Sequence, residues 1–584
     1  LVTSSTVPQQ NFVGVLLDDS RSMTLPGGDG RPRSAFIREQ LDPSTGALLE
    51  GLEEEFAVRY FRYSSSTQRM DRSSDLTFSG TRTDLVTALQ TVGEELSSVP
   101  LAGLVVISDG ADNSGKPMTE ALVPLQAASV PVYTVGLGEE VISPDIQVER
   151  ITAPRSVLRG TSLLLDVLVS QRGYAGRALP VLVEDEDRIL TEGEVSLGED
   201  GEPEVVRVRF VLEDEGLRRI RVRVPVQDGE SVSRNNERSF EVRVRGAREK
   251  ILYFEGEPRP EVKFLRRAVS QDENIQVVVL NRTAEDKFLR LGVDHAEELA
   301  GGFPRTREEL FHYRGLVLGS VEAGYFTHDQ LSMIADFVSR RGGGLLALGG
   351  RWAFAEGGYD GTPVAEALPV LLPDPASDPH AGFTSVKVSP TLAGAGHVAA
   401  QVRPDAQGDE GVWDSLPALS VMNHIREVKP GATTLLKGTG EDGDRVILAY
   451  HRYGRGKAAA LPVVDSWIWQ FHADIPVDDP THEVFWQQLL RWLVDGVPEY
   501  VEARAEPEAV EAGETVRVVA EVRDSAFVEV NDAFVEAAVT TPTGGSRVVS
   551  LDWTVDRDGE YVGTFRAEEE GEYRISIRAV RGEE

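Results

Sequence analysis

Apolar and polar positions along the chain fall into four stretches of different periodicity. From about 11 to 140, short apolar runs alternate with longer amphipathic ones. Strands are predicted over 12–17, 56–63, 104–108 and 130–136, and helices over 33–54, 84–97 and 118–128. Short strands rich in Val, Leu and Ile that alternate with helices predict a doubly wound, mainly parallel sheet covered on both faces. From about 145 to 246 the period becomes two, most cleanly over 162–170, 205–211 and 220–224, with Gly and Asp-Gly turns between. That pattern predicts an antiparallel β-sandwich. From about 247 to 498 the strand–helix alternation returns, with strands at 250–254, 275–280, 315–319 and 344–348 and helices at 260–270 and 328–341. From 499 onward the chain reads as β again, over 515–522, 558–565 and 571–577. The expected fold class is therefore multidomain, α/β plus all-β, with a metal-binding α/β domain at 11–142, a sandwich at 143–246, a second α/β domain at 247–498 and a C-terminal sandwich at 499–584.

A length of 584 residues is too great for one core, and 41% apolar content suits folded protein rather than disorder. The net charge of −35 disfavours nucleic acid as a partner, and an anionic membrane surface for most of the chain. With no cysteine, disulfides, thiolate metal sites and a cysteine nucleophile are all ruled out. No run of eighteen apolar residues exists to span a bilayer as a helix. The sequence opens on Leu rather than Met, with no signal peptide, and reads as a fragment or a processed chain whose membrane anchor lies in segments not present here.

The first apolar run ends in Asp18-Asp19-Ser20-Arg21-Ser22. An acid and two hydroxyls are left at the carboxyl edge of a strand, where ligands of open α/β sheets bind. Oxygen donors of this kind suit Mg²⁺ or Mn²⁺. Taken singly, each of these residues is explained by helix capping. Two later pieces change the balance: Thr83, just before a predicted helix, and Asp109-Gly110, at the end of another apolar strand. The set of Asp18, Ser20, Ser22, Thr83 and Asp109 resembles the metal-ion-dependent adhesion site of von Willebrand factor type A domains, whose fold is Rossmann-like. The resemblance implies that Ser20 and Ser22 bind the cation through their hydroxyls and Thr83 directly or through water. Asp18 and Asp109 would act mostly through bound waters. One open position would take an acidic side chain from a protein partner. Asp19 stands where the pattern often has a small residue; pointed at the site, it would discourage an acidic ligand, and pointed away it would face solvent. After 136 the chain leads straight into β-type sequence, so the long helix that reports metal occupancy in integrin-type members is expected to be absent.

The 143–246 stretch resembles immunoglobulin-like β-sandwiches of bacterial surface proteins, read as a spacer. The 499–584 stretch is read as a second sandwich of that type, in which Tyr573 is either a tyrosine-corner residue or an ordinary half-buried strand Tyr. The 247–498 stretch resembles the class I glutamine amidotransferase-like domains attached to bacterial von Willebrand A proteins. That match is carried by Tyr253-Phe-Glu-Gly-Glu-Pro-Arg-Pro260, Gly343-Gly-Leu-Leu-Ala-Leu-Gly-Gly350 and Asp465-Ser-Trp467-Ile-Trp469. Such enzymes attack the amide with a cysteine on a tight strand–helix elbow. The elbow-like segment 345–350 holds no Cys, Ser or Thr, and neither does 351–360. His482-Glu483 then has nothing to activate and reads as the start of a helix.

The remaining histidines show no His-x-x-His or His-x-x-x-His pair, which argues against a zinc hydrolase. Trp467, Trp469, Phe471 and His472 could line a sugar pocket, although packing is the plainer account. The sequence thus predicts a non-enzymatic, divalent-cation-dependent binding or assembly module of a bacterial, membrane-associated, extracytoplasmic protein, periplasmic or at the cell surface. The alternatives are a hydrolase or amidotransferase using the middle domain, and a carbohydrate-binding surface scaffold.

Overall fold

A computed structural model describes residues 11–25, 27, 30–138, 144–186, 188–230, 232–246, 248–372, 383–403, 411–423, 425–441, 443–507, 510 and 512–582, with only the backbone of Glu120. The chain is multidomain, with mixed α/β sheets and sandwich-like β-sheets. Its internal contacts divide it into two compact units, Leu1–Ser143 and Pro144–Glu584. Among the described residues no helix is long and apolar enough to cross a membrane, which says nothing of a β-barrel.

The first unit is a five-stranded sheet, β1 Phe12–Asp18, β2 Ala57–Tyr63, β3 Thr67–Met70, β4 Leu101–Ser108 and β5 Val132–Gly136, in the order β3-β2-β1-β4-β5. β1 pairs in parallel with both β2 and β4, β4 pairs in parallel with β5, and β3 folds back antiparallel on β2. Among the described residues four α-helices cover it: α1 Ser34–Gln40, α2 Ala47–Glu55, α3 Leu85–Glu95 and α4 Thr119–Ala127. Successive residues of a strand face opposite sides of the sheet. On β1, Leu16 joins Val86, Leu89 and Val92 of α3 in one core, and Val13, Val15 and Leu17 join Ile37 of α1 and Leu49 of α2 in the other. The single helix expected over 33–54 is two. The residue before a proline avoids helical geometry, and Asp42 precedes Pro43. The Asp42 carboxylate accepts bonds from the backbone of Ser44 (2.8 Å) and Thr45 (3.1 Å), closing a turn where the helix would have continued. Among the described residues the next element after β5 is the strand Asp145–Thr152; the stretch just after 136, where a long helix is expected to be absent, lies partly outside the described residues.

In the second unit, strands between 145 and 245 form a three-stranded and a five-stranded sheet face to face. The core between them holds Leu165, Val167, Val181, Val208, Phe210, Ile220 and Val242. Strands between 249 and 461 form a ten-stranded mixed sheet. Helices Pro260–Ala268 and Thr481–Val494 pack on one of its faces and helix His328–Ser339 on the other. A six-stranded antiparallel sheet completes the chain. Its strand Ser546–Trp553 pairs along most of its length with Phe534–Thr540, but only through Asp552 and Trp553 with Glu560–Arg566, so it passes between two halves that share one core. The Tyr573 hydroxyl accepts a bond from the backbone N–H of Glu569, four residues upstream, at 2.8 Å.

Candidate metal centre

Asp18 closes β1 and is fully buried. Its Oδ1 accepts the backbone N–H of Ser20 at 2.9 Å, and its Oδ2 accepts the hydroxyl of Ser108, the last residue of β4, at 2.7 Å. Burial raises the pKa of this carboxyl; the bonds from Ser20 and Ser108 lower it, and the charge of Asp109 raises it again. Beyond Asp18 the chain leaves the strand and turns. Ser20 bridges to Gly80, Arg21 N–H donates to the Gly80 carbonyl at 2.9 Å, and Gly80 N–H donates to the Asp19 carbonyl at 3.1 Å. A Cβ on residue 80 would lie 2.4 Å from the Ser64 Cβ, so this close approach requires glycine. The turn brings the Ser20 and Ser22 hydroxyls to 2.9 Å from each other.

Thr83 is buried on the loop between Gly80 and α3. Its backbone N–H donates to Asn113 Oδ1 at 2.8 Å and its carbonyl accepts Asn113 N–H at 3.1 Å. Leu85 N–H, at the start of α3, donates to Asp112 Oδ2 at 2.9 Å. The Thr83 loop is thereby clamped to the loop that follows Asp109. Asp109 begins that loop, its side chain 1% exposed. Its Oδ1 accepts Ala111 N–H at 3.1 Å, and its Oδ2 accepts Arg33 Nη1 at 2.7 Å.

The structure brings Asp18, Ser20 and Ser22 together through direct bonds and sets Asp109 beside them through Ser108. Thr83 is held nearby through Asn113, by its backbone. Asp19 faces neither solvent nor the hydroxyls. It is 6% exposed, and its Oδ1 accepts the backbone N–H groups of Thr77 (2.7 Å) and Phe78 (2.5 Å), the latter in a left-handed conformation at φ 51°. It pins the 76–80 loop, so the solvent-facing alternative is corrected: the two unpaired N–H groups of a tight loop outcompete water for this carboxylate.

Ser108, Arg33, Tyr63, Asp112 and Asn113 were not singled out from sequence. Tyr63 ends β2 opposite Asp18. Its hydroxyl is buried without a hydrogen-bond partner among the described residues. Burial first, then the charges of Asp18, Asp109 and Asp112, hold the phenol far above its ordinary range. Three carboxylates thus converge their field on one strand edge, balanced locally by the Arg33 guanidinium. Among the described residues no group of three or more His, Cys, Asp or Glu side chains forms a metal cluster; hydroxyls are the distinctive donors at this edge. A separate cavity of about 510 Å³ between α3 and α4, with Leu89, Leu125 and Val130 beside Gln90, Glu94 and Ser97 in its lining, includes the amino-terminal end of β4, away from this edge.

In the second unit the elbow-like turn follows the strand Gly344–Leu348. A Cβ on residue 349 would lie 2.4 Å from the Pro462 carbonyl carbon, and one on residue 350 would lie 2.6 Å from the Ser320 Cβ. Glu255, fully buried at the end of its strand, accepts Tyr253 hydroxyl (2.9 Å), Ser320 N–H (2.8 Å) and Arg259 Nη2 (2.7 Å). Ser466, which sequence reading passed over, donates its hydroxyl to Glu261 and accepts Trp486 Nε1 at 3.0 Å, with 1% of the residue exposed. His482 is fully buried inside the helix Thr481–Val494 and neutral, its pKa lowered by burial to about 3. The tryptophan cluster divides: Trp469 is buried and donates Nε1 to the Pro417 carbonyl at 3.1 Å, whereas half-buried Trp467 stacks on Phe264. Trp469 is therefore no platform.

No family model matches the chain, and no curated protein matches it. Among solved structures it is similar to the CARDB domain of a Pyrococcus furiosus protein in complex with di-metal ions, at 25% identity over 18% of this chain and 93% of that one, with a TM-score of 0.17. It is similar to proximal thread matrix protein 1 from the mussel byssus, with a zinc-occupied MIDAS motif, at 11% identity over 59% of this chain and 87% of that one, with a TM-score of 0.17. It is also similar to a β-glucosidase from Listeria innocua, at 12% identity over 41% of this chain and 46% of that one, with a TM-score of 0.14. Superpositions at these scores carry no argument about this chain, and the reading of the site rests on its geometry.

Proposed function

We propose that the first unit is a von Willebrand A-type module that binds a divalent cation, Mg²⁺ or Mn²⁺, and through it an acidic side chain of a protein partner. The observation that carries this reading is the pair of hydroxyls of Ser20 and Ser22, 2.9 Å apart beside a buried carboxylate. The donor set fits a cation. Asp18 keeps lone pairs beyond its two bonds, and the neighbouring Asp109 adds a second buried carboxylate to the edge. Ser20, Ser22 and Thr83 would supply hydroxyl oxygens, and Asp18 and Asp109 the compensating charge. A bound ion so weakly neutralised would supply an electrophilic position for an incoming carboxylate.

In this reading the sandwich-like sheets act as spacers and braces, and the 247–498 region is an amidotransferase-like domain without catalysis. Supporting that view, the elbow has no room for a side chain, and two hydroxyls paired with carboxylates in this region are buried: Ser466, bonded to Glu261 and Trp486, and Ser320 beside the elbow, which donates to Glu257 at 2.6 Å and accepts the Trp352 N–H at 3.1 Å. The chain would belong to a bacterial, membrane-associated, extracytoplasmic protein, and its charge of −35 argues against nucleic acid as its ligand. The test is calorimetric titration of Mg²⁺ and Mn²⁺ into chelator-stripped protein, with Ser20→Ala/Ser22→Ala as control, and a partner pull-down in Mg²⁺ and in EDTA. Binding lost in the double variant supports the reading. A metal isotherm unchanged by the substitutions, or capture indifferent to EDTA, refutes it.

A further inference from the structure

The Arg33 guanidinium sits where the proposed cation would need Asp109. Arg33 immediately precedes α1 and is already helical, at φ −53° and ψ −36°. Its backbone is fixed, the N–H donating to the Leu25 carbonyl at 3.0 Å and the carbonyl accepting Phe36 N–H at 3.2 Å. The side chain is 22% exposed and crosses from α1 to the end of β4, 76 residues away in sequence, to reach Asp109. Among the described residues that ion pair is the polar anchor of its side chain, and Nε is buried with no partner there. The carboxylate it holds is almost wholly buried, and its other oxygen is already engaged by Ala111. A divalent ion coordinated through Asp109 would meet a like charge on the same carboxylate, in a setting where water screens little.

Resting on the metal reading above, we propose that Arg33 is a tethered competitor of the metal. In the metal-free protein it neutralises Asp109, and it must leave when the divalent ion binds. Arg33 then sets the affinity of the site, keeping it low in the absence of a partner, and the departing side chain is a signal at the start of α1. A guanidinium bonded, among the described residues, through one nitrogen, with Nε buried and unpartnered there, is poorly enough held to be displaced; a fork bonded at both nitrogens would be far harder to move.

The test compares the full chain with Arg33→Met and Arg33→Gln, all stripped with chelator, by Mn²⁺ titration followed through the electron paramagnetic resonance of free Mn²⁺ and through melting temperature. Removing the competing charge is expected to tighten Mn²⁺ binding roughly tenfold, equivalent to about 1.4 kcal/mol. The same variants should melt lower than wild type in EDTA and gain more on adding Mn²⁺, because Asp109 is left unpaired until the ion arrives. Arg33→Gln, which keeps a donor without the charge, carries the same expectation should Arg33→Met fail to fold. Equal or weaker Mn²⁺ affinity in the variants overturns the competitor and leaves the metal site standing. Failure of wild type and variants alike to bind Mn²⁺ overturns both.

Discussion

Glu261 offers the sharpest quantitative test of the middle region. It lies in the first turn of helix Pro260–Ala268, a position where an acid ordinarily faces solvent and favours the helix dipole. Here the 3₁₀ turn Ser466–Trp469 and the helix Thr481–Val494 close over it, and it is 3% exposed. Burial raises its pKa from 4.5 to about 7, opposed by the Ser466 hydroxyl bond and by Arg259, and aided by the charge of Asp465. A carboxyl whose folded pKa lies above its unfolded value binds a proton more readily when folded. Its contribution to stability is therefore complete below pH 4.5 and is lost as pH rises through 7. At 1.36 kcal/mol per pKa unit the loss is about 3 kcal/mol. Glu261→Gln keeps an oxygen for the Ser466 hydroxyl and removes the charge. It should match wild type within about 1 kcal/mol at pH 5 and exceed it by about 3 kcal/mol at pH 8, a rise of roughly 6–12 °C in the melting of this region. His482 opposes Glu261 between pH 4.5 and 6.5, because a histidine kept neutral by burial adds stability as pH rises from 3 to 6.5. The difference between variant and wild type cancels that term, so calorimetric scans of both proteins from pH 5 to 8.5 are the assay. Parallel melting curves across that range would show that Glu261 titrates normally and is not sealed from water.

Two further substitutions probe the two strand edges. Asp19→Ala leaves the Thr77 and Phe78 N–H groups without their acceptor and should lower the urea unfolding free energy of the first unit by about 2–3 kcal/mol; an effect under about 0.5 kcal/mol would mean that water replaces the carboxylate. Gly350→Ser, which would place a hydroxyl at the elbow, should destabilise the second unit by about 1–3 kcal/mol through overlap with Ser320. It should also yield no esterase or amidase activity; either a neutral melting shift or measurable turnover would count against the account of the elbow as closed.

How much of this was legible in sequence depends on the range of the interaction. The four parallel strands of the first unit and the Asp18, Ser20 and Ser22 edge follow from local apolar patterning. The break at Asp42-Pro43 was equally local, and the expected helix over 33–54 overran a signal that proline rules supply. β3, Thr67–Met70, could not be foreseen, because a short polar strand has no alternation to show. Ser108 and Arg33 reach Asp18 and Asp109 from 90 and 76 residues away, and neither residue type nor spacing announces such a pairing. Glu261 and Ser466 likewise read as a surface acid and a loop hydroxyl until two helical segments bury them 205 residues apart. Patterning reports which face of an element is apolar; it does not report which polar residue another segment will cover.

The charge of the chain bears on how an acidic partner could be recognised at all. At −35, the protein repels an acidic ligand at long range, and under the proposed function a cation held at the Asp18 edge would attract it at short range. The two effects differ in reach. The Debye length is about 30 Å at 0.01 M salt and about 8 Å at 0.15 M, so added salt removes the long-range repulsion while leaving a carboxylate bound to a partly buried ion much less screened. Association of an acidic peptide in saturating Mg²⁺ should therefore accelerate between 0.01 and 0.15 M NaCl, with dissociation changing less, as read by stopped-flow fluorescence. This is opposite in sign to the behaviour of electrostatically steered pairs, whose association slows as salt is added. Slower association at higher salt would mean that the ligand is drawn in by positive charge of its own, and an acidic group completing the cation would then be the wrong chemistry for this edge.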